Sequence, residues 1–382
     1  MFRDLAPGAA VFASTLGPWG LTWTRRGVDS LALPDRTESA VRELLERAAP
    51  GREYPVRPPA AVRDLARRVR SHLAGKPDDF RDVPLDLERL PPFARKVSRA
   101  LCRVPPGATV SYAELAKRAG SPGASRAVGT VMARNPLPLL VPCHRVLAAG
   151  GALGGFSAPG GTDLKVRLLH REGVVLSPRH QVGMDHLASS DRALGRVIRR
   201  AGPYLPAFGD KRDPYDVLVT SIVHQQLALK AAATIARRVR ALTPGDAFPS
   251  PQELLQLSDA ELRGAGLSSQ KLGYLRDLGA RLDDGRLDLR ALRRLDDAQA
   301  TAALCTVRGI GVWTAQMMLI FHLGRLDVWP VDDLGLQKGV QKHLGLAETP
   351  RAREMAAIGE RWAPYRSLAA WYLWQLVDGG AD

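Results

Sequence analysis

The sequence predicts a multi-domain chain in which a small α/β domain and a helix-turn-helix domain precede an all-α domain. Its 382 residues suffice for two or three domains that each bury a hydrophobic core. Short alternating segments between glycines and prolines, together with two helical stretches, occupy the start of the chain, and from residue 91 the pattern becomes mainly helical. From residue 191 onward only helical spacing is found, which predicts a compact α-domain.

Charge and cysteine content narrow the class of protein. A formal net charge of +15 indicates a polyanionic partner, most simply nucleic acid. The alternative is a general arginine bias spread over solvated surfaces. The three cysteines, Cys102, Cys143 and Cys305, are too few for a disulfide framework, a four-cysteine zinc site or a four-cysteine iron–sulfur cluster. The sequence implies no metal and no organic cofactor.

Neither a signal peptide nor a membrane span is apparent. The first residues lack the charged-then-apolar layout of a secretory signal, and no apolar run approaches membrane length. We therefore expect a soluble cytoplasmic protein, associated with the nucleoid when it is bound to DNA.

The first predicted domain, residues 1–82, has a hairpin and two helices. Residues 11–15 and 21–24 are typical of the two strands of the hairpin, and residues 28–33 of a third strand. Helical spacing covers residues 39–47 and 59–73. No residue in this domain suggests chemistry, so we expect it to support the next one.

Residues 90–176 form the second predicted domain. Ser111 and Glu114 have the spacing of a helix-capping box, and glycines at 120 and 123 separate this helix from the next, at 124–134. Two helices with a short glycine-containing turn are the layout that places a second helix against DNA. An ordinary helical pair is the alternative. Arg126 lies at the start of the second helix among small residues, which favours close approach to a duplex.

A candidate nucleophile follows in Pro142-Cys143-His144-Arg145-Val146. The apolar, proline-bounded run before it predicts a rigid buried shelf, and a thiol beside an imidazole suits nucleophilic attack on a group in a pocket. The alternative from this pair alone is a buried structural cysteine with a neighbouring histidine.

Residues 90–175 resemble the active-site domain of the O6-alkylguanine-DNA alkyltransferases, or methylated-DNA–protein-cysteine methyltransferases. The motifs that carry the resemblance are Ser111-Tyr112, Arg126-Ala127-Val128-Gly129, Asn135-Pro136, Pro142-Cys143-His144-Arg145-Val146, Gly155-Phe156-Ser157 and residues 165–173. The resemblance implies a winged helix-turn-helix-like fold and irreversible transfer of an alkyl group from O6 of guanine.

The resemblance also implies roles for single residues. Cys143 would accept the alkyl group, His144 would act through a water as its base, and Glu172 would orient the histidine. Four further residues would contact substrate or DNA: Tyr112 donating toward the departing guanine, Arg126 replacing the flipped nucleotide, Asn135 tying the turn, and Ser157 in the pocket loop. The family's usual tyrosine is Phe156 here, its usual aromatic near the following leucine pair is Arg167, and the loop 155–165 is longer. These departures bear on the size of the alkyl group.

A polar stretch without clear period suggests a linker at 177–190, followed by the all-α domain at 191–382. In that domain Gly309-Ile310-Gly311 separates two helices, the second predicted from Thr314. Successive backbone amides at such a turn suit a DNA phosphate, although the glycines alone are equally typical of close packing. Asp332 and Asp333 follow an apolar, proline-bounded run, which suits a carboxylate at a dry pocket; a simple helix N-cap is the alternative.

Residues 205–378 resemble the helix–hairpin–helix DNA glycosylases, nearest the 3-methyladenine-DNA glycosylase II branch. The resemblance implies that Asp333 stabilises the oxocarbenium-like sugar and positions the attacking water. Trp313 stands where glycosylase/lyases carry their lysine, which implies a monofunctional hydrolase. Trp313 and Trp374 would wall the base pocket, whereas Trp371 is expected in the core.

The remaining implied DNA contacts of the second half are Gly309, Gly311, Gln225 and Gln226, the last two beside the wedge that enters the base stack. The family's aromatic residue one turn after Trp313 is Met317 here, which bears on base preference.

The sequence therefore predicts a fused alkylation-repair protein that is a monomer and binds double-stranded DNA containing alkylated bases. One alternative keeps a single active half with the other as a damage-binding scaffold. A second is a basic DNA-binding protein without activity, and a third, for the thiol, is a Cys-His hydrolase.

Overall fold

The computed structural model describes residues 2–208 and 212–377, which divide into two compact units, Met1–Pro178 and Arg179–Asp382. The first unit combines helices with small sheets, and the described part of the second is helical throughout. Within the described ranges no helix is both long and apolar enough to cross a bilayer.

The first unit opens with an antiparallel sheet in the order β1 (Gly8–Phe12), β2 (Trp19–Thr24), β3 (Gly27–Ala32). The hairpin and third strand are present as predicted, with the first strand beginning three residues earlier, at Gly8 rather than 11. Helix α1 (Glu38–Ala48) buries Val41 and Leu45 against the sheet, and α2 (Ala60–Leu73) follows it.

The rest of this unit is a helical array with one short parallel strand pair. Its elements are α3 (Pro92–Leu101), β4 (Val110–Ser111), α4 (Tyr112–Arg118), α5 (Ser125–Ala133), β5 (Val146–Leu147) and α6 (Gly161–Arg171). Ser111 and Glu114 form the predicted capping box of α4, so the first helix of the pair α4–α5 starts where the sequence placed it. Strand β5 directly follows Arg145 and pairs with β4, which fixes the cysteine segment beside α4.

The two segments treated as separate domains in the sequence, 1–82 and 90–176, share one hydrophobic core. Trp19 and Val69 from the first segment belong to the same buried cluster as Val97 and Cys143 from the second. A backbone bond from the Leu31 amide to the Pro136 carbonyl, 2.8 Å long, also joins β3 to the proline shelf. Because a three-stranded sheet with two helices has little core of its own, its inner face is completed by the second segment.

The second unit contains the helices α7 (Pro178–Ser190), α8 (Arg192–Ala201), α9 (Pro214–His224), α10 (Leu229–Arg240), α11 (Pro251–Gln256), α12 (Asp259–Gly264), α13 (Ser269–Asp283), α14 (Asp297–Cys305), α15 (Val312–Met317), α16 (Leu334–Leu344), α17 (Ala352–Gly359) and α18 (Arg366–Val377). One π-helical turn, Met318–His322, continues α15. The buried residues form two clusters, one around α9 and α13 and one around α16 and α18.

The predicted linker at 177–190 is instead helix α7. Its buried side chains include Met184 and Leu187, which belong to the core of the second unit. Gly183 lies so close to Tyr365 that an added Cβ would come within 2.7 Å of the ring. The buried face of α7 therefore includes Gly183 and His180 beside its apolar residues. Because these two residues interrupt the apolar periodicity, the sequence pattern did not indicate a helix.

Candidate functional site

Cys143 lies at the start of a short 3-10 turn, Cys143–Arg145, that follows Pro142. Its side chain is buried, with 7% exposed. Burial raises the pKa of the thiol, while a hydrogen bond from Asn135 and the charge of Lys165 act in the opposite direction. The resting group is therefore the thiol.

Asn135 holds the shelf that carries the thiol. Its Nδ2 donates to the Val141 carbonyl at 2.8 Å, and its Oδ1 accepts from the Leu137 amide at 3.1 Å. Between them Leu139 has a φ of 74°, a left-handed conformation that is uncommon for leucine. The side-chain bonds of Asn135 support this turn.

A fully buried network lies behind the thiol. His144 Nε2 is 2.9 Å from Glu172 Oε1, and both side chains are inaccessible to solvent. Arg145 donates to both oxygens of the same carboxylate, at 2.8 Å from Nε and 2.7 Å from Nη2. These donors keep the pKa of Glu172 well below its usual range although burial alone would raise it. Burial also lowers the pKa of His144, so the ring is neutral and can accept a proton.

The second nitrogen of His144, Nδ1, is buried and makes no hydrogen bond within the described part of the chain. Because Nε2 donates to the carboxylate, a neutral ring has its free lone pair on Nδ1. The arrangement combines a nucleophile, an adjacent base and a group that orients the base.

Lys165 was not given a role from the sequence, but it lies within this site. Its ammonium donates to the carbonyls of Val146, at 2.7 Å, and Leu153, at 2.5 Å. Burial lowers its pKa to about 8, and a thiolate at Cys143 would raise it. The available signal was a lysine between Leu164 and Val166, on a helix whose other periodic positions are apolar.

A cavity of about 320 Å³ opens onto the thiol from the side of α4 and α5. Its lining includes Tyr112, Met132, Cys143, Phe156 and Ser157. Burial raises the pKa of Tyr112, so the phenol keeps its proton and can donate it. Ser157 Oγ donates to the Ala133 carbonyl at 2.9 Å and ties the loop across the cavity.

A second cavity of about 300 Å³ reaches Cys143 from the side of β3 and α1 and shares Phe156 and Ser157. Arg126 lines neither cavity; it is exposed at the first turn of α5. Cys143, His144, Glu172 and Asn135 are thus brought together, and Arg126 lies on the outer surface.

In the second unit, Asp333 is the N-cap of α16 and accepts the Leu336 amide at 2.6 Å. Two indoles also donate to it: Trp374 Nε1 to Oδ1 at 2.8 Å, and Trp313 Nε1 to Oδ2 at 2.7 Å. Asp333 is therefore a helix N-cap, as the alternative interpretation held, but it also accepts two indole N–H groups. Asp332 is exposed. Three N–H donors hold the Asp333 carboxylate as an oriented anion.

Aromatic packing defines the surroundings of Asp333. Trp374 stacks against Phe321, with ring centroids 5.8 Å apart and planes tilted by 28°, and Trp313 is 50% exposed. Trp371 is buried and packs edge-on against Tyr204, so it belongs to the core as expected. Neither unit, in its described ranges, groups three His, Cys, Asp or Glu side chains that could hold a metal.

The glycine turn lies between α14 and α15, and α15 begins at Val312, two residues before the predicted Thr314. Gly309 has a φ of 85°, and an added Cβ would come within 2.2 Å of the Tyr274 ring. Gln225 Nε2 donates to the Gly309 carbonyl at 2.8 Å, and Asp277 accepts the Arg308 amide at 2.8 Å. Gly311 is the N-cap of α15, with open space around it.

The connection between α9 and α10 exposes an apolar side chain. Gln226 adopts a φ of 55°, and the following Leu227 is 40% exposed. Since the neighbouring Gln225 bonds to the glycine turn, Leu227 lies near the same surface. From the sequence we singled out Gln225 and Gln226 but not Leu227. An apolar residue in a short connection between two helices could have indicated it.

Replacing Gly309 with alanine should destabilise the second unit by about 2 kcal/mol or more, because the new Cβ requires both a left-handed φ and movement of Tyr274. Urea unfolding of the two variants measures this. Gly311→Ala is the matched control, because its Cβ meets no atom within 4 Å. Equal stability of the two variants would contradict the packing argument.

Two family models match the chain. One, described as the 6-O-methylguanine DNA methyltransferase DNA-binding domain, matches residues 92–174. The other, described as the HhH-GPD superfamily base excision DNA repair protein, matches residues 219–364.

Similar proteins fall into the same two groups. DNA-3-methyladenine glycosylase 1 of Schizosaccharomyces pombe is 32% identical over 50% of this chain and 84% of its own. A methylated-DNA–protein-cysteine methyltransferase of Mycolicibacterium paratuberculosis is 39% identical over 38% of this chain and 86% of its own. A solved structure of the S. pombe 3-methyladenine DNA glycosylase with abasic DNA covers 52% of this chain and 97% of that chain, at 31% identity and a TM-score of 0.47.

Proposed function

Because the chain belongs both to the methylated-DNA–protein-cysteine methyltransferases and to the DNA-3-methyladenine glycosylases, we propose that it repairs alkylated DNA at two sites, one around Cys143 and one around Asp333. The chain combines the two activities in DNA alkylation repair.

At the first site, alkyl transfer starts from a neutral thiol and a neutral imidazole. A water between them passes the thiol proton to His144 Nδ1, and Glu172 stabilises the imidazolium that forms. Lys165 stabilises the thiolate by its charge. The observation that carries this assignment is the buried contact of 2.9 Å between His144 Nε2 and Glu172, which leaves Nδ1 as the basic nitrogen.

The transfer itself forms a sulfur–carbon bond and breaks the bond between the alkyl carbon and O6 of guanine. The electron pair of the broken bond stays on the guanine, which takes a proton from Tyr112; the proton held by His144 then restores the phenol. The product is a thioether, which water does not hydrolyse, so each molecule acts once.

The target base reaches Cys143 only when it leaves the duplex. The cavity of about 320 Å³ admits a flipped base, with Ser157 in its loop and Tyr112 at its wall. Arg126, exposed at the start of α5, is placed to enter the stack in place of that base.

At the second site, Asp333 stabilises positive charge on the deoxyribose as the alkylated purine departs, and it orients the attacking water. The indoles of Trp313 and Trp374 hold its two oxygens in place. An electron-poor N-alkylated base stacks well on exposed aromatic faces, which suits Trp313. This hydrolysis uses water and not a lysine as the nucleophile, so the product is an abasic site.

The glycine turn and the connection after α9 form the DNA surface of this unit. Amides of Gly309 and Gly311 would meet a phosphate, while Gln225 and Gln226 support the exposed Leu227. An apolar side chain at this place can fill the gap left by a flipped base. The partner is double-stranded DNA with alkylated bases, and the protein acts as a cytoplasmic monomer that joins the nucleoid when bound.

The test uses the wild-type protein with two duplexes. One carries O6-methylguanine, and intact and peptide mass should show one added methyl group on the peptide that contains Cys143. The other carries 3-methyladenine and should yield abasic sites. If the protein binds one duplex but does not react with it, the unit proposed for that reaction is a damage-binding scaffold. If it binds both duplexes and reacts with neither, it is a non-enzymatic DNA-binding protein.

Replacing Lys165 with methionine should destabilise the first unit by about 2–4 kcal/mol, because two buried carbonyls lose their donor. The transfer rate should also fall, since the thiolate loses a nearby positive charge. Lys96→Met, at an exposed position of α3, is the control. Thermal unfolding and single-turnover transfer measure the two effects; an unchanged rate in a folded variant would remove Lys165 from the site.

A further inference from the structure

His72, on α2, reaches the network behind Cys143 from the segment that the sequence treated as a supporting domain. The ring is fully buried, and its Nε2 lies 3.1 Å from Glu172 Oε1. The N–H bond at Nε2 points too far away from Oε1 for a full hydrogen bond, so the contact between the two atoms is mainly electrostatic.

The protonation of His72 is fixed from its other side. The Asp78 amide donates to His72 Nδ1 at 3.0 Å, so Nδ1 carries a lone pair and the single ring proton is on Nε2, facing Glu172. The Asp78 side chain is held by Arg68, with both of its carboxylate oxygens at 2.8 Å. This ion pair fixes the backbone that sets the tautomer of His72.

A strained residue completes the support. Phe80 has a φ of 52° and places its ring against His72, with centroids 5.3 Å apart. Its amide donates to Asp78 at 2.9 Å, and Arg68 lies over its outer face. A phenylalanine in this conformation persists only where its surroundings determine it. The turn at 78–80 is thus built to hold the ring of His72.

Glu172 Oε1 is shared by three groups: His144 at 2.9 Å, His72 at 3.1 Å and Arg145 at 2.7 Å. The ionisable groups facing this cluster are Arg145 at the carboxylate, Lys165 and Tyr112 near Cys143, Cys102 near Arg145, and Asp78 and Arg68 behind His72. His72 therefore offsets part of the charge of Glu172 without adding a full charge to the buried network.

We propose that His72 is a positioning residue of the alkyl-transfer site, whose Nε2–H shares Glu172 Oε1 with His144 and limits how strongly the carboxylate pulls on the His144 ring. This inference rests on the proposed function of Cys143. Its consequence is that the thiol holds its proton more firmly than it would if Glu172 faced His144 without this second N–H. For a nucleophile that is used once, this restraint protects against reaction with other electrophiles.

The experiment compares His72→Asn with His72→Gln in the full chain. Asparagine can still accept from the Asp78 amide but is too short to reach Glu172; glutamine can place an amide N–H at the position of Nε2. The rate at which iodoacetamide alkylates Cys143 is measured without DNA over a range of pH, from the mass of the Cys143 peptide. The pH at which this rate is half its maximum is the midpoint of thiol reactivity. Val69→Ala, one turn earlier on α2 and fully buried, controls for loss of stability.

In His72→Asn the midpoint should fall by about half to one pH unit, so that reaction below the midpoint is about 3- to 10-fold faster. His72→Gln should stay within about twofold of the wild type, and Val69→Ala should not move the midpoint. An unchanged or higher midpoint in His72→Asn, or an equal shift in Val69→Ala, would overturn the proposal. If His72→Asn does not fold, His72→Met, which fills the volume without an N–H, takes its place.

Methyl transfer from an O6-methylguanine duplex is measured in parallel. A wild-type protein that transfers no methyl group while the midpoint still shifts in His72→Asn would reject the proposed function and leave only an effect of His72 on thiol reactivity. Normal transfer with a midpoint that does not shift would reject only the role of His72.

Discussion

Replacing Cys143 with alanine is expected to abolish alkyl transfer completely and to leave glycosylase activity at the wild-type level. The sulfur is the atom that forms the new bond, and neither the imidazole of His144 nor water can form the stable thioether in its place. The fold should tolerate the change at a cost of about 1 kcal/mol, because only one small buried group is removed. The groups proposed for glycosylase chemistry all belong to the second unit.

The measurement is the mass of each cysteine peptide after incubation with an O6-methylguanine duplex. Cys102→Ala and Cys305→Ala are matched controls. Burial raises the pKa of both thiols, and neither cysteine has a histidine as its sequence neighbour. Both controls should retain a methyl group on the Cys143 peptide. A methyl group on Cys102 in the Cys143→Ala protein would show that the thiol had been assigned to the wrong residue.

The thiol and imidazole proposed as nucleophile and base could be placed together from the sequence because they are adjacent in the chain. Cys143 and His144 lie in one five-residue motif. The capping-box spacing of Ser111 and Glu114 predicts the helix that lies beside them. Local patterns of this kind depend on few other residues. The contact of Glu172 was expected only through a family resemblance, because 28 positions separate it from His144.

Contacts that depend on tertiary packing left little trace in the sequence. His72 reaches Glu172 across separate elements, and its role depends on the turn at Asp78 and Phe80. Lys165 received no role from the sequence because its partners are backbone carbonyls, which no side-chain pattern records. Helix α7 was missed since its buried face includes Gly183, where close packing on Tyr365 replaces an apolar side chain. Period-based reasoning detects apolar faces and overlooks these cases.

Replacing Asp333 with asparagine is expected to lower base excision by about a hundred- to a thousandfold, whereas alkyl transfer remains normal. The negative charge that stabilises the sugar cation is lost, and one of the two indoles now meets an amide N–H in place of an oxygen. Asparagine is as good an N-cap as aspartate, so α16 should still form. Single-turnover release of 3-methyladenine, read as abasic sites, measures the loss.

Asp332→Asn is the matched control, because it removes the same charge one residue earlier from an exposed side chain. If a general negative potential assisted the reaction, the two variants would lose activity to a similar degree. If an oriented carboxylate is needed, only Asp333→Asn fails, since only its oxygens accept both indoles. Loss confined to Asp332→Asn would instead make Asp333 a structural cap. Because Trp313 is half exposed, its donation also leaves the Oδ2 side of Asp333 next to solvent, where a flipped nucleotide can arrive.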